Sequence, residues 1–509
     1  MKRPTQDKAT PLSAVISLLL VLGCSSSDDE SPEAPVIEDA GNEPDSGRTT
    51  QDSSTETPQD AGENPDAPVV TVTGPITGGM GKPFTSSIVD LSTHGYSETE
   101  LFFEGDATAY AVQGEMTEDG KWQLMETTQA PFKSRMIVRR PIDATDFNGT
   151  VVVEWLNVSA GADGDPGFMY NYKEILREGY AWVGVSAQAA GIQAGGVSLS
   201  PNAMPLKEYD PERYGSLVHP GDAYSFDIYT RAAEIIRGAG DLDVLDGLVP
   251  ERVISYGESQ SAMRLVSYVD GVHPLVKAYD AFFIHSRSGS GLPFGNDAGF
   301  ALGGGTPARI RDDIAEPVLQ FQTETDVLGT LGFLAARQPD TDRLRTWEVA
   351  GTAHADTYLT ELAQGGIACE GANDGPQHFV LKAALHAVDA WLRDGTAPAI
   401  GAPLMTDDSD GPLKDEHGNT MGGIRTPDVD VPISTLSGNP AGTGGDFFCF
   451  LFGSSVPFEA DKLAELYPTH EDYVAKVRDA AQAAREAGFL LEPEEQAMVA
   501  EAEAAPVPE

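Results

Sequence analysis

Hydrophobic and polar positions change rhythm along this chain, and the changes divide it. Residues 14–22 are one nearly unbroken apolar run, whereas residues 25–68 carry almost no large apolar side chains. From residue 69 onward, short β-type runs at 69–73, 100–103, 109–112 and 135–140 are separated by turn residues, which predicts antiparallel strands. The rhythm then lengthens. Thr150-Val151-Val152-Val153-Glu154-Trp155-Leu156 reads as a buried strand, a helix is expected over 168–177, and Ala181-Trp182-Val183-Gly184-Val185-Ser186 reads as the next strand. An amphipathic helix over 222–237 precedes further strands at 252–256, 278–284, 317–322 and 344–349. Strands alternating with helices predict an α/β fold, a doubly wound and mostly parallel sheet whose ligand site lies at the carboxyl ends of its strands.

The candidate chemistry falls at those strand ends. Gly257-Glu258-Ser259-Gln260-Ser261 stands between the strand at 252–256 and a helix expected over 262–269. A strand, a tight glycine turn and a helix form the setting of a nucleophile elbow, where a serine is held on strained backbone with its hydroxyl clear of the sheet. The pattern here is G-x-S-x-S, with Ser261 in place of the second glycine. Taken alone, Ser259 could as well be a helix N-cap. Thr323-Glu324-Thr325-Asp326 follows the strand at 317–322, and Ala350-Gly351-Thr352-Ala353-His354 follows the strand at 344–349. The order Ser…Asp…His is that of the α/β-hydrolase triad. Ser259 is therefore expected as nucleophile, His354 as general base and Asp326 as the orienting acid, with Glu324 the alternative acid two residues nearer the strand. His273, His285 and His417 fit the order or setting badly. An oxyanion would need two donors. The backbone N–H of Gln260 is one, and Asn157 or Val158, in the loop after the 150–156 strand, is the other. Arg425 is expected to tie loop carbonyls together.

The N-terminus bears on compartment. Met1-Lys2-Arg3 and Lys8 precede an apolar run too short to span a bilayer, and the run ends in Leu22-Gly23-Cys24-Ser25, which resembles a bacterial lipobox. Residues 1–24 are thus expected to be a lipoprotein signal peptide, with Cys24 carrying the lipid. An exported bacterial lipoprotein follows, anchored at the outer membrane and facing the periplasm or the exterior. Residues 25–68 hold thirteen acidic residues against Arg48 alone, a composition that cannot bury enough apolar surface to fold. They are expected to form a disordered acidic tether. The formal net charge of −46 argues against a nucleic-acid partner and against adsorption to anionic lipid, so the membrane is met only through the N-terminal lipid. Cys369 and Cys449 remain, an even pair in an exported chain, and a disulfide is expected between them. No metal-ligand cluster or phosphate-cradling loop is legible, so neither metal nor cofactor is expected.

Several strings add a resemblance. Arg139-Arg140-Pro141, Gly149-Thr150-Val151-Val152-Val153-Glu154-Trp155-Leu156-Asn157-Val158, Tyr256-Gly257-Glu258-Ser259-Gln260-Ser261 and Gly422-Gly423-Ile424-Arg425-Thr426-Pro427 resemble the bacterial α/β-hydrolase-domain proteins of unassigned substrate, the Abhydrolase-10-like serine esterases. The likeness spans roughly residues 70 to 480. It implies esterase chemistry on a small-molecule ester. It also implies one hydrolase domain over 69–490, in which 355–490 are a long C-terminal elaboration with helices at 383–393 and 461–487, followed by an acidic tail at 491–509. Two other functions stay open: an amidase or peptidase using the same triad, and a surface binding protein that has lost catalysis.

Overall fold

The structure is a computed structural model that describes residues 70–195, 203–295, 305–329, 331–363, 369–440 and 447–507. The expectations for the signal segment, for Cys24 and for the acidic tether lie outside the described residues. All the described residues belong to one compact unit, Asp66–Glu509.

Nine strands form one sheet: β1 (Thr71–Thr73), β2 (Tyr96–Val112), β3 (Leu124–Pro141), β4 (Thr150–Trp155), β5 (Ala181–Val185), β6 (Arg252–Glu258), β7 (Ala281–His285), β8 (Val318–Thr323) and β9 (Leu344–Val349). Their order across the sheet is β1-β2-β3-β5-β4-β6-β7-β8-β9. The first three strands pair antiparallel, β3 pairs antiparallel with β5, and every pairing from β5 to β9 is parallel. The runs at 100–103 and 109–112, read above as separate strands, belong to one 17-residue strand, β2. A register shift between Thr108 and Tyr110 interrupts its pairing without ending it, because a bulge bends a ladder rather than stopping it.

Side-chain alternation of period two explains the layers. Val151, Val153 and Trp155 of β4 enter one core with Phe226 and Tyr229 of the helix Ser225–Glu234 and Leu265 of the helix Gln260–Ser267. Val152 of β4 enters the opposite core with Trp182, Phe283 and Trp347, covered by the helices Pro166–Glu178 and Gln377–Asp394. Both faces of the parallel strands are therefore buried, which is why they read as continuous apolar runs. Arg139 is buried between Phe168 and Trp182, its guanidinium 4.0 and 4.3 Å from their ring centres. It pairs with Asp165 at 2.6 Å and Glu98 at 2.9 Å.

The C-terminal section folds onto the same body. A two-stranded antiparallel sheet, β10 (Ser434–Ser437) with β11 (Ser454–Pro457), lies in it. Ile424 bridges Val349 at the outer edge of β9. Leu404, Val429 and Leu436 pack with Val327 and Ala350, beside the strand ends that carry the acid and the histidine. The helix expected over 461–487 is two helices, Ala460–Leu466 and His470–Glu486. Pro468 lies between them, where a missing N–H and a fixed ring end a helix. Residues 491–509, read above as an acidic tail, contain the helix Glu492–Ala504, which buries Glu494, Met498 and Ala502. Those positions are four residues apart, one stripe of a helix, and Glu494 pairs with Arg177 at 3.1 Å.

Candidate active site

Three carboxyl-terminal strand ends converge. At the end of β6 the chain turns through Ser259, whose φ of 58° and ψ of −117° fall in a region L-residues rarely occupy. The turn is fixed from several sides. The Ser259 N–H donates to the His285 carbonyl at 2.9 Å, and its own carbonyl accepts from Met263 N–H at 3.1 Å, opening the helix Gln260–Ser267. Gly257 is required by close approach: a Cβ there would lie 2.9 Å from the carbonyl carbon and oxygen of Ser261. Ser261, where the familiar pattern has glycine, accepts from the Glu258 N–H at 3.1 Å and donates to the Glu258 carbonyl at 2.8 Å. The substitution adds a clamp across the turn.

Ser259, His354 and Asp326, far apart in sequence, meet here. His354 Nε2 lies 2.8 Å from Ser259 Oγ, and His354 Nδ1 lies 2.6 Å from Asp326 Oδ1. Asp326, just beyond β8, sits in the first turn of the short helix Glu324–Leu328. There Thr323 N–H donates to Asp326 Oδ2 at 2.7 Å, a capping box that fixes the carboxylate by its second oxygen. His354 is 3 % exposed. Burial alone would push its pKa down, but the charge and hydrogen bond of Asp326, with Glu258 adding to them, outweigh it and raise the net value.

The alternative acid has other work. Glu324 Oε1 accepts from Gly351 N–H at 2.6 Å and Oε2 from Gly438 N–H at 3.0 Å, so it ties the histidine loop to the C-terminal section. Thr325 Oγ1 donates to the Gly438 carbonyl at 2.7 Å and accepts from His354 N–H at 3.2 Å. Asn373 Nδ2 donates to the Gly351 carbonyl at 3.1 Å, and Ala355 N–H donates to the Leu451 carbonyl at 3.0 Å. The elaboration thus buttresses the loops of both Asp326 and His354. Cys369 and Cys449 are bonded to each other within it, their Cα atoms 5.4 Å apart.

Asn157 is a correction. Its backbone N–H donates to the Gly164 carbonyl at 2.9 Å, so it is not available to an oxyanion. Its side-chain Nδ2 donates both to the Glu258 carbonyl at 2.9 Å and to Glu258 Oε2 at 2.9 Å. Val158 is buried in the same turn, and Gln260 opens its helix, where the first N–H groups have no partner within the helix.

Glu258 itself was read only as the variable position of the elbow. It is buried, with Oε1 3.6 Å from His354 Nε2. Burial pushes its carboxyl up, His354 pulls it down, Asp326 raises it and the Asn157 hydrogen bond lowers it; the balance is a pKa of about 7. A carboxylate at the buried end of a strand is the signal that could have found it. The other histidines stay out of the cluster. His285 is buried at the end of β7 with Nδ1 2.8 Å from Tyr256 Oη, and burial, with His354 adding to it, holds its pKa well below the ordinary value. His273 faces Glu316 at 2.9 Å, and the His417 carbonyl accepts from Thr435 Oγ1 at 2.7 Å. Arg425 ties its own loop, donating to the Thr420 carbonyl at 2.6 Å and pairing with Asp415 and Asp430. Among the described residues no group of histidine, cysteine, aspartate and glutamate has the geometry of a metal site, and no helix is long and apolar enough to cross a membrane.

The family model described as the alpha/beta hydrolase domain matches residues 72–500. No curated protein matches the chain. Among solved structures, a lidless serine hydrolase from Xanthomonas campestris aligns at 12 % identity and a TM-score of 0.30, over 56 % of this chain and 96 % of its own. An esterase domain from Rhodothermus marinus aligns at 14 % identity and a TM-score of 0.28, over 56 % and 98 %. An esterase from Rhizomucor miehei aligns at 12 % identity and a TM-score of 0.31, over 57 % and 84 %.

Proposed function

The chain belongs to the alpha/beta hydrolase domain family, and from that premise we propose that it is a serine hydrolase of carboxylesterase type, with Ser259, His354 and Asp326 as its catalytic triad. The observation that carries the reading is the continuous hydrogen-bonded line from Ser259 Oγ through both imidazole nitrogens to Asp326, begun at a serine on strained backbone. Ser259 Oγ attacks the ester carbonyl carbon while its proton passes to His354 Nε2. The resulting oxyanion takes the backbone N–H of Gln260 and, from the turn after β4, that of Val158. Losing one such donor costs about 2.7–4 kcal/mol. Collapse of the tetrahedral adduct breaks the bond to the alcohol oxygen, which leaves with the proton from His354. Water then attacks the acyl-enzyme by the same route in reverse, releasing the acid and restoring Ser259. Asp326 fixes the imidazole tautomer and balances the imidazolium charge.

The test is covalent labelling with a fluorophosphonate, together with turnover of p-nitrophenyl esters of graded acyl length. Labelling of the wild type and none of Ser259→Ala is expected. A wild type that neither labels nor turns over any ester of the series defeats the proposal.

The lipobox reading is also a proposal: Cys24 carries lipid and tethers the protein to the outer membrane. Cys24→Ala should leave the membrane fraction, and a variant that still sediments with membranes overturns it.

A further inference from the structure

Beside the imidazole stands a second carboxylate that the triad does not use. Glu258 immediately precedes Ser259 and is buried at the end of β6. Its backbone is clamped by Ser261 from one side and Asn157 from the other. The same Asn157 Nδ2 also holds carboxylate Oε2 at 2.9 Å. One side-chain amide thus fixes both the main chain and the side chain of the residue before the serine. The free oxygen, Oε1, is left 3.6 Å from His354 Nε2, the nitrogen that also faces Ser259 Oγ at 2.8 Å.

We propose that Glu258 is a positioning residue that acts through His354, its carboxylate facing the imidazolium from the Nε2 side while Asp326 holds it from the Nδ1 side. This inference rests on the serine-hydrolase reading for its catalytic consequence but not for the electrostatic one. The proton that leaves Ser259 Oγ arrives at Nε2, the nitrogen nearest Glu258, so the charge created in that step appears between two carboxylates. A buried charge is held well only when it is paired, and an opposite charge within about 4–6 Å favours the charged form of a titrating group. Asn157 keeps the carboxylate near the ring without letting it displace Ser259 from Nε2.

The neighbours of the pair are few and identifiable. Asp326 approaches His354 from the helix Glu324–Leu328. His285 lies opposite Glu258 in the register of β6 and β7, and burial, with His354 adding to it, holds its pKa well below the ordinary value. Tyr170, on the helix Pro166–Glu178, and Tyr256, on β6 itself, sense the Glu258 charge, and both are pushed far above the ordinary phenol value, by burial first. Asp356, which accepts from Tyr170 Oη at 3.1 Å, lies one step further out. Of these groups, His354 is the one on which a positive charge forms.

The experiment titrates His354 directly. In full-length protein, the downfield Nδ1–H proton resonance of His354 is followed against pH by NMR, and the acid limb of kcat/KM for a p-nitrophenyl ester is measured alongside. Glu258→Gln keeps the volume and a carbonyl for Asn157 but removes the charge. Both midpoints should then move to lower pH by about one unit, with kcat at mildly alkaline pH falling about tenfold. Glu258→Asp, with its charge one methylene further back, should fall between Gln and wild type. A merely structural role would lower stability or activity without moving either midpoint, so unchanged midpoints in Gln and Asp overturn the proposal. Failure of both variants to fold also counts against it, since the carboxylate would then serve the fold. If wild type neither labels with a fluorophosphonate nor turns over any p-nitrophenyl ester, the hydrolase reading fails while the NMR titration still decides whether Glu258 holds the imidazolium.

Discussion

Glu324 and Asp326 sit on one helical turn and send their carboxylates to different partners. Asp326 Oδ1 meets His354 Nδ1 at 2.6 Å, whereas Glu324 spans the N–H groups of Gly351 and Gly438 at 2.6 and 3.0 Å. The helical turn separates them: side chains two positions apart point to different faces.

Asp326→Asn and Glu324→Gln should therefore fail in different ways. The asparagine presents an amide to Nδ1 and favours the wrong imidazole tautomer, so kcat should drop about 10⁴-fold with little loss of stability. The glutamine faces two backbone N–H donors with only one acceptor oxygen. A buried donor left unpaired costs about 1–3 kcal/mol, so Tm should fall while kcat falls far less. Thermal melts and single-substrate kinetics on both variants check this, and an inactive but fully stable Glu324→Gln would reverse the assignment.

Gly438 tests the buttress from the other side. A Cβ at this position would lie 2.4 Å from Thr325 N and 2.5 Å from Glu324 Cβ, against backbone that cannot yield without moving the helix bearing Asp326. Gly438→Ala should cost about 1–3 kcal/mol, as overpacked sites do, and should lower kcat/KM although residue 438 touches no reacting atom. Activity and stability equal to wild type would mean that the C-terminal section does not support the acid.

What the sequence made legible follows from where local pattern decides structure. The strand ends of β6, β8 and β9 announce themselves as apolar runs closing on polar loops, so Ser259, Asp326 and His354 could be picked out in order. Asn157 could not be placed, because its N–H is taken by Gly164 across a turn, a pairing that no local periodicity encodes. Glu258 was hidden by the motif that names it a variable position. The helix Glu492–Ala504 was hidden by charge: its acidic residues dominate the composition, while Glu494, Met498 and Ala502 form the stripe that is buried. The roles of Glu324, Thr325 and Gly438 depend on contacts spanning about a hundred residues of chain, as Glu324 and Gly438 show at a separation of 114.

The bond between Cys369 and Cys449 closes a stretch of 80 residues that includes Gly438. A loop of that length carries about 4–5 kcal/mol in the chain-entropy account. Thiol titration of unfolded, unreduced protein should find neither cysteine reactive. Reduction should lower Tm, and activity with it, because Leu451, two residues beyond Cys449, holds Ala355 beside the histidine. Two titratable thiols in protein recovered from an oxidising compartment would contradict the bond.

Asp356 should make stability depend on pH. Its carboxyl is 1 % exposed and accepts from Leu359 N–H at 3.0 Å and Tyr170 Oη at 3.1 Å. Burial raises it from the ordinary 3.8 to about 7; these hydrogen bonds and Lys382 pull it down, and Asp374 pushes it up. A carboxyl raised in the folded state binds more protons there than in the unfolded chain, so its contribution is complete below the unfolded value and is lost as pH rises towards about 7. Asparagine can cap the helix Thr357–Leu362 in the same way but cannot ionise. Asp356→Asn should accordingly gain on wild type between about pH 5 and pH 7, by on the order of 2 kcal/mol, and keep a constant lead above that. Glu258 and Asp428, raised to about 7 and about 6, shift both proteins alike and cancel in the comparison. Denaturant melts across that range decide the matter: a difference that does not change with pH would show that Asp356 is ionised in the folded protein throughout.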